Sequence, residues 1–256
     1  MMEYRLKWIG GATWLLDIGN IRIACDPVLC AKGTVQDYRF FKSERLEDPV
    51  YTRDDFKGLN FWLISHIHED HIDMRGMAVI GDTPLYSPVP IERKKGTKVL
   101  KWGETHITEL PHRGIIRVTA IPAIHASNTL LGGMIGNGNG YLIEYRNGDE
   151  SFNLYVSGDT LINTGMIRGL KGKAIDLAIL NAGNAVLGDG LLSRIAGRIT
   201  MNKKDIARFD RRFHPGTIVP VHWGTFSHYR ELLDSPGWKL PASVKLIRPG
   251  ETFNSQ

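Results

Sequence analysis

The chain has 256 residues, 42% hydrophobic and 23% charged, with a formal net charge of +5 and a pI near 9.2. That balance suits a globular chain able to bury a substantial core. Apolar runs such as "IDLAILNA" fall far short of the ~20 residues that cross a bilayer, and two cysteines, Cys25 and Cys30, cannot frame a disulfide scaffold, so buried thiols are expected. The start, "MMEYRLKWIGG", lacks the apolar core of a signal peptide, which makes a reducing cytoplasm the expected compartment.

Along the chain, "EYRLKWIG", "TWLLDIG" and "IRIACDP" are short β-runs separated by Gly-Gly and Gly-Asn turn signals, a three-strand meander. The polar segment "LCAKGTVQDYRFFKSERLEDPVYT", within 27–60, is rich in Tyr, Phe and Arg and is expected to form a lid or a subunit contact. "NFWLIS" reads as a strand buried on both faces, and "DMRGMAVIG" as a short helix. "TKVLKWG", "THITELP" and "IIRVTAIPA" predict a second meander; "GYLIEY" and "FNLYVSG" predict a hairpin about Asn147-Gly148-Asp149. "GGMIGNGNG" (132–140) leads into a strand and lacks Lys-Ser/Thr, so a flexible loop is expected rather than a phosphate cradle. Further on, "NTGMIRGLKG" reads as helical, "AIDLAIL" as a buried strand, "NKKDIARFDRRFH" as a helix and "TIVPVH" as a strand. "TFSHYRELLDS" predicts another helix and "SVKLIRPG" a last strand. The pattern predicts an α+β fold, a four-layer αββα sandwich of two mixed β-sheets with outer helices, formed as one domain over 1–256.

Functional chemistry concentrates in "LISHIHEDHID" (63–73). His66 and His68 lie two apart, which on an extended segment points both imidazoles to one side; Asp70 and His71 follow where the chain turns into a helix. Divalent cations such as zinc accept that mixture of imidazole nitrogen and carboxylate oxygen. Without a cation, imidazoles and a carboxylate buried together would be costly. Partners are expected at other strand ends, and His125, Asp159 and His222 each follow an apolar run. Glu69 reads as a spacer and Asp73 as a first-turn helix charge.

His-x-His-x-Asp-His, then a distant His, an Asp in Ser-Gly-Asp-Thr and a final His resemble the metallo-β-lactamase superfamily over roughly residues 4–226. "CDP", "SGDT" and "VHWGTF" are similar to the branch holding ascorbate-6-phosphate lactonase and N-acyl-phosphatidylethanolamine phospholipase D. The resemblance implies two divalent metal ions, zinc with manganese or iron as alternatives. His66, His68 and His125 would bind the first, Asp70, His71 and His222 the second, and Asp159 would bridge them. It also implies hydrolysis of an ester, lactone or phosphodiester by a hydroxide shared between the cations, with Asp70 placed to hold the nucleophile's proton.

Other residues take supporting roles in this reading. Asp26 is an outer partner holding a ligand imidazole, or a turn-stabilising Asp before Pro. His228 is a substrate binder or proton donor, and Asn128, Thr129 and Asn184 contact substrate; His106, His112 and His214 are structural.

Among alternatives, a secreted β-lactamase needs a signal peptide. A flavodiiron oxidoreductase has Glu where this chain has His68, and carries an added flavin domain. An RNA- or DNA-processing phosphodiesterase of the same fold usually carries a substrate-gripping insertion not found here. The basic stretches 92–96 and 208–214 also lack the interleaved aromatics of a nucleic-acid groove. A non-catalytic metal-binding regulatory protein of this fold commonly loses ligands, whereas this set is complete. The expected partner is a small, anionic substrate, with a homo-oligomer as an option and no nucleic acid.

Overall fold

Alternation of buried and exposed side chains starts the first sheet. A computed structural model describes residues 2–38, 41–92, 94–110, 114–125, 137–188, 197–237 and 239–255. In β1 (Tyr4–Gly10), Tyr4, Leu6 and Trp8 are buried while Arg5 faces solvent. β2 (Thr13–Ile18) and β3 (Ile21–Cys25) continue the antiparallel meander across glycine turns. The next segment forms a two-stranded hairpin, β4 (Val35–Asp37) with β5 (Lys42–Glu44). β6 (Phe61–Leu63), buried at every position, then pairs parallel with β3, β7 (Leu85–Ser87) with β6, and β8 (Thr97–Val99) with β7. Between β6 and β7 lies helix α1 (Met74–Ile80).

The second sheet begins with β9 (Thr105–Leu110), β10 (Gly114–Ala123), β11 (Gly138–Asn147) and β12 (Glu150–Val156), all antiparallel. The two-residue loop Gly148-Asp149 closes the β11–β12 hairpin, with Gly148 at φ 59, a conformation glycine adopts without steric cost. Helix α2 (Thr164–Gly169) precedes β13 (Leu177–Asn181), helix α3 (Lys203–Phe213) follows it, and β14 (Thr217–Val221) completes the parallel set β12-β13-β14. β15 (Thr252–Asn254) returns to pair with β1. The orders are β15-β1-β2-β3-β6-β7-β8 and β14-β13-β12-β11-β10-β9.

These two mixed sheets with few helices are the sandwich the sequence predicts. One hydrophobic cluster joins the sheets, with Leu6, Trp8, Leu16 and Leu63 of the first meeting Val118, Tyr141, Ile143, Leu154 and Val156 of the second. Each such side chain contributes roughly 1.5–3 kcal/mol on burial. α1 covers the outer face of the first sheet through Ile80 and Met77, packed with Leu15, Trp62 and Ile64. α3 lies on the second, with Phe209 stacked on Tyr155 at 5.5 Å between ring centroids. Its boundaries are written locally: Asn202 and Asp205 form a capping box, and the αL residue His214 closes the far end. Among the described residues no helix is long and apolar enough to cross a membrane.

Three expectations are corrected. "TKVLKWG" does not join the second meander: its β8 forms the edge of the first sheet, and the chain changes sheet before β9. "TFSHYRELLDS" is not a helix, because several of its backbone groups bond distant segments. Leu46 N donates to Thr225 O, Ser227 N to Glu44 O and Val186 N to His228 O. "SVKLIRPG" makes only a single bridge, Val244 to Ile218, and the last strand is β15.

Helix α1 shows how tightly the loop after β3 is held. Its N-cap Asp73 accepts from Gly76 N at 2.7 Å through Oδ1, and from Leu29 N and Cys30 N at 2.8 and 2.6 Å through Oδ2. A Cβ on Gly76 would lie 1.6 Å from Pro27 O, so only glycine lets the helix rest on this loop. Gly76→Ala, favourable in an open helix, is therefore expected to lower the melting temperature by at least about 4–8 °C, from a clash of at least ~2 kcal/mol at ~2–4 °C per kcal/mol. Differential scanning fluorimetry checks this, and an unchanged Tm would refute the packing constraint.

Candidate metal centre

Strand direction decides where the polar side chains gather. β3 and β6 run parallel in one sheet; β12, β13 and β14 run parallel in the other, and β10, antiparallel to the intervening β11, shares their direction. The carboxyl ends of these strands deliver Asp26, the 65–71 segment, His125, Asp159 and His222 to one edge of the sandwich, where open α/β sheets commonly place their sites.

Past β6 the chain stays extended through His66 and His68, then turns, with His71 N and Ile72 N both donating to His68 O at 3.0 Å. The turn sends His66 and His68 to one side and Asp70 and His71 to the other. In the first group His125 Nε2 lies 3.1 Å from His66 Nε2, and the His68 ring is 4.5 Å from His66 and 5.3 Å from His125 between centroids. In the second, His222 Nε2 lies 3.1 Å from His71 Nε2 and 3.5 Å from Asp70 Oδ2, and Asp159 Oδ2 is 3.3 Å from His71 Nε2. Within each group, one ligating atom per residue falls within 4.8 Å of the others, and the His66 and His71 rings, 3.8 Å apart, join the two groups. All are buried except His68, which is half-buried. His222 reaches its place at φ 73, a left-handed conformation that costs a non-glycine residue free energy.

Asp26 sets the orientation of the His71 ring and, through Ser65, of the His66 ring. Itself at φ 43 and 1% exposed, it accepts from Ser65 N at 2.7 Å, from Ser65 Oγ at 2.6 Å and from His71 Nδ1 at 2.8 Å. Ser65 Oγ, its proton spent on Asp26, accepts from His66 Nδ1 at 3.0 Å. His66 and His71 thus carry their protons on the outward Nδ1 and present Nε2 lone pairs to the cluster, the tautomer a cation requires. Asp159 is steadied by Asn181 Nδ2, which donates to Oδ1 at 2.8 Å.

The electrostatics of the cluster fit a cation. Burial holds the pKa of His66 well below the ordinary imidazole value, helped by the neighbouring imidazoles, and pushes His125 down to about 4 against the field of Asp159. Both are neutral donors. Burial opposes charge on His71, Asp70 and Asp159 as well, but their mutual attraction outweighs it. His71 is raised well above its usual value by Asp159, Asp26 and Asp70, and both carboxyls are held low, foremost by His71. A divalent cation among these residues would offset the carboxylate charge, and zinc, manganese and iron all accept such oxygen and nitrogen donors.

His228, read as a substrate binder or proton donor on a helix, is buried in an irregular segment, its Nε2 3.5 Å from Asp70 Oδ2 and its Nδ1 2.6 Å from Ser43 Oγ. Burial pushes its pKa down to about 4, partly offset by Asp70. Asn184 follows β13 at φ 58 with a buried Oδ1 that has no partner among the described residues. Asn128, Thr129 and His112 lie outside the described residues. Of the histidines read as structural, His106 sits on β9 against Tyr86 and Lys98, and His214 is the cap of α3. Glu69 faces solvent, its carbonyl taking a 2.6 Å bond from Gln36 Nε2.

Several residues of the centre were not singled out from sequence. Ser65 and Asn181 carry the same signal as the others, a polar residue ending an apolar run. Tyr38, Phe41 and Ser43 lie in the segment expected to form a lid, and the β4–β5 hairpin brings Tyr38 to 6.2 Å from the His68 and His228 rings, stacked on Phe41 at 4.8 Å.

A family model described as beta-lactamase superfamily domain matches residues 22–223. The chain is 23% identical over 263 residues to a UPF0173 metal-dependent hydrolase of Methanopyrus kandleri, covering 97% of this chain and 99% of that protein. Its fold is similar to that of isothiocyanate hydrolase from Delia radicum gut bacteria, with a TM-score of 0.77 at 19% identity, covering 98% of this chain and 100% of the other. It is also similar to a metallo hydrolase from Ignicoccus hospitalis, with a TM-score of 0.64 at 20% identity and 99% of each chain covered.

Because Asp26 sets the tautomer and aim of His71, Asp26→Asn is expected to weaken divalent-metal affinity by roughly 10- to 100-fold while the chain stays folded, asparagine being tolerant of positive φ. Competition with a chromophoric chelator measures it. Wild-type affinity in the variant would show that the carboxylate serves only the turn.

Proposed function

This chain belongs to the beta-lactamase superfamily domain family, and on that premise we propose that it is a metal-dependent hydrolase acting on an ester, lactone or phosphodiester bond of a small, anionic molecule. The observation that carries the reading is the convergence of His66, His68 and His125, and beside them Asp70, His71, Asp159 and His222, from four separate strand ends into two adjoining buried donor groups. In this proposal His66, His68 and His125 would hold one divalent cation and Asp70, His71 and His222 a second, with Asp159 available to both. When bound, such cations act as Lewis acids toward a carbonyl or phosphoryl oxygen and bring the pKa of water toward neutrality.

The chain's own groups supply the rest. Asp26 and Ser65 orient the His71 and His66 rings, and Asn181 orients Asp159. Asp70 Oδ2, held ionised, accepts the proton of the attacking water, with His228 Nε2 3.5 Å away as the next acceptor on its way to the leaving group. The Tyr38–Phe41 stack beside His68 and His228 excludes water from one side and favours a small substrate over a polymer. The short motifs around Asp26, Asp159 and His222 put lactones and phosphodiesters first among substrates to try. The M. kandleri relative is named a metal-dependent hydrolase, and a structural neighbour an isothiocyanate hydrolase, so isothiocyanates join the panel.

Expressed in metal-replete medium, the chain is expected to carry about two divalent ions, zinc foremost, and to turn over at least one lactone, phosphodiester or isothiocyanate. His66→Ala and Asp159→Asn should each cut kcat/KM by more than ~100-fold, beyond the usual effect of an outer carboxylate. Elemental analysis and a panel assay decide it: a wild-type chain without bound metal would sink the proposal.

A further inference from the structure

Tyr229, packed beside the cluster, carries a hydroxyl that no described residue uses. After β14 and His222 the chain bends through Trp223–Thr225, with Thr225 Oγ1 donating to His222 O, and Tyr229 makes an isolated bridge to Ala185. The ring, 8% exposed, lies 4.5 Å from the rings of both His222 and His228. Gly183, at φ 105, makes room for it, since a Cβ there would sit 2.8 Å from Tyr229 Cδ1. Its Oη is fully buried and has no hydrogen-bond partner among the described residues.

A hydroxyl removed from water without a partner costs free energy, so a phenylalanine would suit this packing better unless the group meets a ligand. Two comparisons within the chain sharpen the point. Tyr38, on the flap side of the cluster, donates to Gln36 Oε1 at 2.7 Å and is satisfied. Tyr155 Oη is also buried and unpartnered, but its ring stacks on Phe209 on the helical face of the second sheet, and burial alone perturbs it. Tyr229 instead lies against the rings of His222 and His228, beside the donor groups.

We infer that Tyr229 is a catalytic residue whose Oη–H donates a hydrogen bond to the substrate oxygen that gathers negative charge as the carbonyl or phosphoryl group is attacked. The inference rests on the hydrolase reading above. No proton is transferred by Tyr229; the bond strengthens as charge develops on the accepting oxygen, and such a bond raises kcat more than it lowers KM. The position also predicts a preference for substrates with a free oxygen at the reacting centre.

The test compares Tyr229→Phe with wild type as zinc-loaded full chains, with Tyr155→Phe as the control that deletes the same atom away from the cluster. Tyr229→Phe is expected to keep the wild-type metal content and a Tm unchanged or raised. It should lose about 100-fold in kcat on the best panel substrate with KM little altered. Phenylphosphonate, titrated calorimetrically, should bind about tenfold more weakly to Tyr229→Phe, and Tyr155→Phe should match wild type in kcat and phosphonate affinity. Unchanged kcat and phosphonate affinity in an active, metal-loaded background overturn the assignment alone. A Tm drop in Tyr229→Phe larger than that in Tyr155→Phe assigns the hydroxyl a structural role and also overturns it. A wild-type chain that binds no metal and turns over no panel substrate sinks the hydrolase reading, and this assignment with it.

Discussion

A carboxylate sealed from water must find enough donors to replace its hydration, and Asp26 finds three in two residues of a neighbouring strand end. Those bonds tie the end of β3 to the end of β6 and aim His71, and through Ser65 they aim His66 as well. Pro27, next in the chain, is the surface against which Gly76 and helix α1 rest, while Asp73 caps that helix and binds the same loop. Fold and candidate centre therefore share one set of contacts, and a disturbance at Asp26 is felt in the packing of α1 as well as in the orientation of two imidazoles.

Each sheet supplies half of a donor arrangement that neither could build alone. The first contributes a continuous stretch in which one turn splits four donors into two pairs. The second contributes single residues at the ends of three co-directional strands. Loops at strand ends are free to carry polar groups because the strands behind them are anchored by the shared apolar core. The left-handed conformations of Asp26, Asn184 and His222 cluster at this edge, as strained backbone does where surrounding structure over-determines it.

The chain after His222 is the most irregular part of this edge, and its irregularity has a use. Had 225–235 formed a helix, its backbone groups would have been spent within it. Instead several of them pair with the base of the β4–β5 hairpin and with the segment after β13. Arg45, fully buried with its guanidinium 4.8 Å from the Phe226 ring, fastens the hairpin to the same strip. His228 and Tyr229 are thereby drawn inward beside His222, and the hairpin that supplies Tyr38 and Ser43 is held over them.

Residue types, spacing and periodicity by themselves determined a good deal: most strands, the three helices α1, α2 and α3, the sandwich, and a set of polar residues at strand ends. These follow from side-chain alternation, from capping residues such as Asn202 and Asp205, and from a polar residue ending an apolar run, all properties of a few consecutive positions. Tertiary structure alone decided which sheet β8 would join, because a three-residue strand pairs with whichever edge the packing presents. It also overrode the helical pattern of 225–235, since helix propensity yields where long-range partners satisfy the backbone. Which donors face one another, the tautomers set by Asp26 and Ser65, and the burial of His228 and Tyr229 depend on groups far apart in sequence. No local pattern encodes the distance between two strand ends; the packing of the two sheets against each other sets it.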